Sequence, residues 1–486
     1  MNATRRNFLK SALAAGVFPT IIPASVLGKD APGGKLQIAL IGCGRIGTTM
    51  DIGGLLQNED LAMLTTICDV DILRLQNMKA LAERRYGRKL DHLKMEMDYR
   101  KVLDDPGIDG VMICTQDHWH ARMVVEACYK GKDVYVQKPM ALSVEESEAI
   151  REAVRLTGRV FHIGTQQRCD RGCGAGFVKG VEYVRSGRLG KLTRIDLGII
   201  DNSPNCEWNV PSIERTPDKG DFDFDLWLGP ARDDVRYSQL RTHWRRYRSD
   251  GHLDIPGQNV GWLQIQDYCT GNISGWGSHH VDIAQWAMGN PGPVSVKCEK
   301  VKFLEGRLFN VHDDCLITYK YPNGVVMQLG TPRLTGYRCG VRWYGENGDW
   351  ISTSRGTTKA PGEPVDTAFK PKAPYWRPCE ANKAGLISGE PEVKIVHNRY
   401  NHHRPWFLGM RSRKDTNITV EEANISTISC ILGYHAMNHA GREIGWDPEK
   451  RVFTDPFDQK KLYSCFERPQ FAVAPILAEI RKRKRA

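Results

Sequence analysis

The chain has 486 residues, 41% of them hydrophobic and 26% charged, a balance that excludes a disordered or membrane-embedded protein and gives enough length for two cores. Its net charge of +11 gathers at the ends, with five positive residues in the run 481–485 and three more at Arg5, Arg6 and Lys10. The remainder is close to balanced and carries no basic stripe with interleaved aromatics, which argues against nucleic acid as a partner and predicts a solvated or frayed basic tail.

In chain order, residues 1–34 come first. A paired arginine precedes a moderately apolar stretch, 11–27, that is interrupted by Gly16, Pro19 and Pro23. This pattern predicts a twin-arginine signal and linker, with export to the periplasm and no stable membrane span. Residues 35–165 then alternate short apolar strands with helices. Strands are expected at 36–42, 61–70, 110–114, 133–137 and 159–164, and helices from the glycine-rich turn to 56, up to 86, near 99–103, at 118–129 and at 144–156. That alternation specifies a doubly wound parallel sheet, the Rossmann arrangement of an α/β domain.

From 166 to 455 the texture changes. Long loops rich in Trp, Asp, Pro and Gly accompany strands at 192–200, 294–304, 314–321 and 324–330, which predicts an α+β substrate and oligomerisation domain with a large, open, mostly antiparallel sheet. A late helix, 420–444, is expected to pack against the first domain, and 456–486 reads as an extension ending in the basic tail. The 14 cysteines show no paired zinc spacing; Cys169 and Cys173 are close enough to bridge in an oxidising compartment, and most of the others read as small core residues.

Gly42, Gly44 and Gly47, with Arg45 and Ile46 between them, form GxGxxG between a predicted strand and a predicted helix, where backbone amides can cradle a pyrophosphate. Asp69 ends the second strand, where a carboxylate accepts from both ribose hydroxyls and repels a 2′-phosphate, so the expected cofactor is NAD in preference to NADP. In CTQDHWH, at the carboxyl edge of the sheet, Thr115, Asp117, Trp119 and His120 are candidates to line the cofactor; alternatively Asp117 caps the next helix and Trp119 packs beneath it. Gln137, Lys138 and Gln167 complete the cofactor set. Lys138 projects from the same edge and suits both substrate binding and proton handling, against the plain alternative of a surface lysine.

In GWGSHHVDIAQWAMG, helical spacing puts His279, Asp282 and Trp286 on one face. His279 is a candidate acid/base partner, with His280 and Asp282 as substrate-binding candidates; the alternative is a core histidine bonded to Asp282. Adjacent histidines diverge on a helix, so no metal site is assigned. Arg241 and His243, in a loop with Trp244 and Arg245 and with Trp227 before it, supply donors and aromatic faces suited to a sugar.

The order GCGRIG, CDV, CTQDHWHA, QKPM, GTQQR and WGSHHVDIAQWAMG resembles the Gfo/Idh/MocA oxidoreductase family. The resemblance extends through FDLWLGPAR, WYGENGDWIS and HHRPWFLGMRSRKD, and covers about residues 35–452. It implies a nicotinamide enzyme acting on sugars, cyclitols or glycosides, a homo-oligomer (dimer or tetramer) formed through the open sheet, and a lysine of a Glu-Lys-Pro motif beside the substrate. Members also commonly use a later Asp and His four residues apart. Here Gln137 stands in place of the Glu and Gly275 in place of the Asp, leaving Lys138 and His279 as the expected proton-handling pair. The expected activity is hydride transfer between a ring hydroxyl, C3 being an attractive position, and a tightly held NAD. The alternatives are a redox-neutral NAD-dependent glycosidase and a carbohydrate-binding member without turnover.

Overall fold

The computed structural model describes residues 34–169, 175–199, 215–232, 236–237, 242, 262–303, 310–335, 339–354, 379–395, 401–464 and 468–485. The expected leader, 1–33, lies outside them. The first sheet is built from β1 (Leu36–Ile41), β2 (Ala62–Cys68), β3 (Lys94–Glu96), β4 (Gly110–Ile113), β5 (Asp133–Val136) and β6 (Phe161–Ile163) in the order β3-β2-β1-β4-β5-β6. Every neighbouring pair is parallel. Strands buried on both faces are continuous apolar runs, which is why these segments were legible. The edge strand β3 is the exception: it has a lysine and a glutamate around one exposed Met95, and pairing with β2 alone makes it a strand.

Between the strands lie a π-helical turn (Gly47–Asp51) running into α1 (Ile52–Leu56), then α2 (Ile72–Tyr86), α3 (Tyr99–Asp104), α4 (Asp117–Tyr129) and α5 (Val144–Thr157). Local chemistry sets their ends. Asp71 accepts from the Leu73 amide at the start of α2, Ser143 and Glu146 form a reciprocal capping box on α5, and Gly87 and Gly158 close the two helices in the left-handed conformation.

The second layer contains α6 (Ala175–Arg185), β7 (Leu192–Gly198), α7 (Phe224–Leu228), a second π-helical turn (Ile273–Gly277), α8 (Ser278–Ala287), β8 (Ser295–Phe303), β9 (His312–Lys320), β10 (Val326–Gly330), α9 (Pro332–Thr335), β11 (Gly340–Gly345), β12 (Trp350–Ser354) and β13 (Glu380–Ala381). After these come α10 (Arg404–Ser412), α11 (Val420–Asn438), β14 (Glu443–Asp447), β15 (Val452–Phe453), α12 (Pro456–Leu462) and α13 (Ala474–Arg485). Nine strands make one open sheet, β13-β12-β11-β7-β10-β9-β8-β14-β15, antiparallel except between β7 and β10. Helices α6, α8 and α11 cover one face, burying Ile195, Ile317, Met327 and Trp343 against Ile283 and Ile431.

The two layers are interleaved along the chain. Trp406, Phe407 and Met410 of α10 belong to the core under the first sheet, where Gly110 leaves room for Met410 and Trp406. Helix α13 returns to the other face of the same sheet, burying Leu477 and Ile480, while Arg481 pairs with Glu152 at 2.6 Å and Arg483 lies over the Tyr129 ring. The basic run is therefore the exposed, solvated side of a docked helix and not a frayed end. The late helix also ends earlier than expected, since the residues from Glu443 pair with β8. Among the described residues, no helix is long and apolar enough to cross a membrane.

Candidate active site at the carboxyl edge of the first sheet

The glycine-rich turn leaves β1 with Gly42 at φ +99°, and a Cβ there would lie 2.5 Å from the Cys114 carbonyl oxygen. A Cβ on Gly47 would collide with the Gly42 carbonyl, whereas one on Gly44 would meet nothing closer than the Arg74 guanidinium at 3.9 Å. Two glycines thus allow the turn to close, and the middle one leaves its backbone open to a ligand. Arg45 is exposed and Ile46 half-buried on the same turn. Asp69 accepts from the Cys43 amide at 2.8 Å and the Asp71 amide at 3.0 Å, which fixes its carboxylate beside the turn. Burial pushes that carboxyl up to about 6, against the lowering effect of Arg74.

Gln167, in the turn after β6, is buried, and neither its amide oxygen nor its amide nitrogen has a partner among the described residues. A buried primary amide with both ends unsatisfied is costly unless a ligand completes it. Together with the open Gly44 backbone, Asp69 and the half-exposed Thr115, it fits a dinucleotide with polar groups along its length.

Two residues beyond β5 stands Lys138, half-buried, its following peptide held by His120, whose Nδ1 lies 2.6 Å from the Pro139 carbonyl. His120 Nε2 lies 3.2 Å from the Thr115 carbonyl, and burial, aided by the Lys138 charge, lowers the imidazole to about 4. His120 is thus a clamp between two strand ends and not a cofactor ligand. Asp117 is the first residue of α4, but its side chain makes no cap; the helix start is Gln116, without a side-chain cap bond. Its carboxylate instead takes a 3.4 Å hydrogen bond from Ser274 Oγ in the second π-helical turn. Burial raises it to about 7, opposed by the nearby Lys138 charge and by Ser274. Five residues beyond Ser274, His279 is buried at the start of α8, edge-on to Trp276.

Gln137 takes the opposite side of the strand end. Its Nε2 donates to both oxygens of Asp51 at 2.9 Å, and its Oε1 accepts from Gln166 at 3.3 Å, so its amide faces the interior and not a cofactor. Asp51, fully buried, also accepts from His403 Nε2 at 2.8 Å and from Cys114 Sγ at 2.9 Å. The His403 ring stacks on Tyr135. A buried carboxylate delivered from the first π-helical turn therefore stands against the Gln137 amide. Motif reading missed Asp51 and His403, although an acid in the helix after a glycine turn, on the side that should be apolar, is a visible irregularity.

Several other expectations change. Asp282 is buried and joined to Arg168 by two 2.7 Å hydrogen bonds, with Ser426 donating at 2.9 Å, so it is a structural anchor and not a substrate ligand. His280 is fully buried with Nδ1 2.7 Å from the Gly198 carbonyl, turned toward β7 and away from the edge. Trp119 is core, its Nε1 donating to the Trp227 carbonyl at 3.2 Å and its ring packed on Tyr99 and Phe471. Cys169 is buried with its thiol donating to the Gln166 carbonyl. Arg241, His243, Trp244, Arg245 and Cys173 lie outside the described residues.

Comparison with known proteins agrees with this fold. Residues 36–165 match a family described as an oxidoreductase family with an NAD-binding Rossmann fold, and residues 236–351 match the GFO/IDH/MocA C-terminal domain. The scyllo-inositol 2-dehydrogenase (NAD(+)) of Bacillus subtilis (strain 168) is 32% identical over 157 residues, 32% of this chain and 42% of that protein. The match therefore spans less than half of that relative. A glycosyl hydrolase family 109 protein of Stenotrophomonas maltophilia (strain K279a) is 23% identical over 363 residues, 72% of this chain and 74% of its own. Among solved structures, the WlbA dehydrogenase from Bordetella pertussis in complex with NADH and UDP-GlcNAcA superposes with a TM-score of 0.55 at 17% identity, covering 85% of this chain and 99% of the other.

Proposed function

The chain belongs to the GFO/IDH/MocA oxidoreductase family, and on that premise we propose that it moves hydride between a ring CH–OH of a sugar or glycoside and NAD. The observation that carries this reading is the convergence of Lys138, Asp117 and the π-helical turn before His279 on the edge that also holds the open glycine turn. NAD, when bound, supplies the hydride acceptor or donor. Gly42, Gly44, Gly47, Asp69 and Gln167 hold it, Lys138 orients the reacting hydroxyl and handles its proton, and His279 lies on the substrate side.

A redox-neutral glycosidase is the second reading, favoured by the family 109 relative that matches most of its own length. There the same hydride removal would be followed by elimination of the glycosidic group, addition of water and return of the hydride. Export to the periplasm, read from Arg5 and Arg6, supports that cycle because it regenerates the cofactor in place. Assembly through the face of the nine-stranded sheet opposite α6, α8 and α11 is the proposed route to a homo-oligomer.

The test is to incubate the purified full chain with free sugars and aryl glycosides while following the absorbance of reduced nicotinamide. Reduction that persists until an acceptor is added supports the dehydrogenase. Aglycone release without lasting reduction supports the glycosidase, and neither response contradicts both. Lys138→Ala is expected to retain NAD while losing turnover by on the order of 100-fold or more.

A further inference from the structure

We propose that Asp51 is a positioning residue that ties the turn carrying Lys138 to the glycine turn, and so sets where the lysine stands relative to a bound dinucleotide. This rests on the oxidoreductase reading of the same edge. The two turns leave different strands, the glycine turn β1 and the lysine turn β5, with β4 between them. Hydride transfer needs both in one geometry, since reacting groups misplaced by about 1 Å can lose on the order of 100-fold in rate.

Asp51 is built into both turns. The first π-helical turn begins at Gly47, the last glycine of the motif, and ends at Asp51, with the Ile52 amide donating back to the Gly47 carbonyl. Across the edge, the amide of Gln137, the residue before Lys138, donates to both Asp51 oxygens at 2.9 Å. The end of β4 joins through the Cys114 thiol, 2.9 Å from the same carboxylate. Gly164, after β6, leaves the room for this arrangement: a Cβ there would lie 2.3 Å from Gln137 Oε1. On the far side of Lys138, His120 holds the Pro139 carbonyl and reaches the Thr115 carbonyl. Lys138 thus stands between two anchored neighbours, and only the Asp51 anchor reaches the glycine turn.

The acid itself is oriented. His403 Nε2 donates to Asp51 at 2.8 Å, its ring stacks on Tyr135 of β5, and its other edge lies against Gly54, where a Cβ would meet Nδ1 at 2.1 Å. Burying a carboxylate costs stability that an apolar side chain at this helix position would not. What the carboxylate adds is direction, because donors from three separate segments fix its two oxygens.

The experiment exchanges the two side chains. Asp51→Asn, Gln137→Glu and the double variant of the full chain are compared in urea unfolding, NAD affinity, sugar turnover and amide hydrogen exchange of the peptide containing Lys138. Asp51→Asn sets an amide NH2 against one of the three donors, and Gln137→Glu sets two carboxylates face to face. Each single variant is expected to lose kcat on the order of 100-fold with KM little changed, while exchange around Lys138 quickens roughly 10-fold. NAD affinity should change less than kcat, because the close contacts of Gly42 and Gly47 remain. In the double variant the amide at 51 donates to the carboxylate at 137, its carbonyl oxygen still accepts from His403, and the second carboxylate oxygen still accepts from Gln166. Its kcat and exchange are therefore expected within about 10-fold of wild type. Gln137→Asn, whose amide falls one methylene short of Asp51, serves if the single variants do not fold, with the same expected loss of kcat. Folded single variants with wild-type kcat, or a double variant as slow as either, overturn the proposal. Hydrogen exchange is read without substrate, so a chain whose exchange follows this pattern but which oxidises no sugar keeps the tie and loses the proposed function.

Discussion

Gln137 and Lys138 are adjacent, yet their settings differ: the Gln137 amide is buried against Asp51, whereas Lys138 is half-buried at the sheet edge. From the sequence, Gln137 and Gly275 looked like losses of negative charge. In space each has a carboxylate close by: Asp51 bonds the Gln137 amide, and Asp117 bonds Ser274, the residue before Gly275. The nearby acids were not legible, because Asp51 is 86 residues from Gln137 and Asp117 is 157 residues from Ser274 in the chain. The glycine turn and Asp69 were legible because their chemistry is local. Asp69 gives a prediction with a sign: burial raises it to about 6, so it is ionised above that pH and able to accept from ribose hydroxyls. NAD affinity, measured by isothermal titration, should hold above about pH 6 and weaken below it; affinity independent of pH across that range would remove Asp69 from the cofactor site.

Elements with their own signals were predicted well, including helices with capping boxes and strands with continuous apolar runs. Those defined by a partner were not. Strand β3 exists through β2, the two π-helical turns interrupt helices that periodicity draws as regular, and α13 is a helix because its apolar side finds α4 and α5. Each π-helical turn turns a polar side chain inward at this edge, Asp51 to the buried Gln137 amide and Ser274 to Asp117, a common use of this irregularity. Helix α13 should therefore contribute to stability despite its charge. Ile480→Ala is expected to cost about 2–4 kcal/mol in urea unfolding, since it removes a side chain buried among apolar neighbours. A loss within experimental error would mean that the helix is not docked in solution.

At the scale of the whole molecule, the two layers are joined by buried polar contacts as well as apolar packing. Arg168, after β6, binds Asp282 of α8, reaches Glu422 of α11 at 3.3 Å, and covers the Trp286 ring. His162 and His402 exchange contacts with backbone carbonyls between β6 and the segment that leads into α10. Asp282 read as a site residue because helical spacing shows only which side it occupies, not which partner is there. Arg168→Ala would leave its carboxylate buried without a cation, and about 3–5 kcal/mol of stability should be lost in denaturant unfolding. A cost near zero would show that the layers hold together without this pair.

The central claim, that the edge carrying Lys138 is where hydride leaves a sugar carbon, is tested most directly with isotope. The full chain, loaded with NAD, would be given a glycoside deuterated at each ring CH–OH in turn, and the bound nucleotide analysed by mass spectrometry after a single turnover. Deuterium should appear in the nicotinamide from one ring position with the wild-type chain, and not with Lys138→Ala at equal cofactor occupancy. Conversion of the glycoside with no deuterium reaching the cofactor from any position would contradict the account.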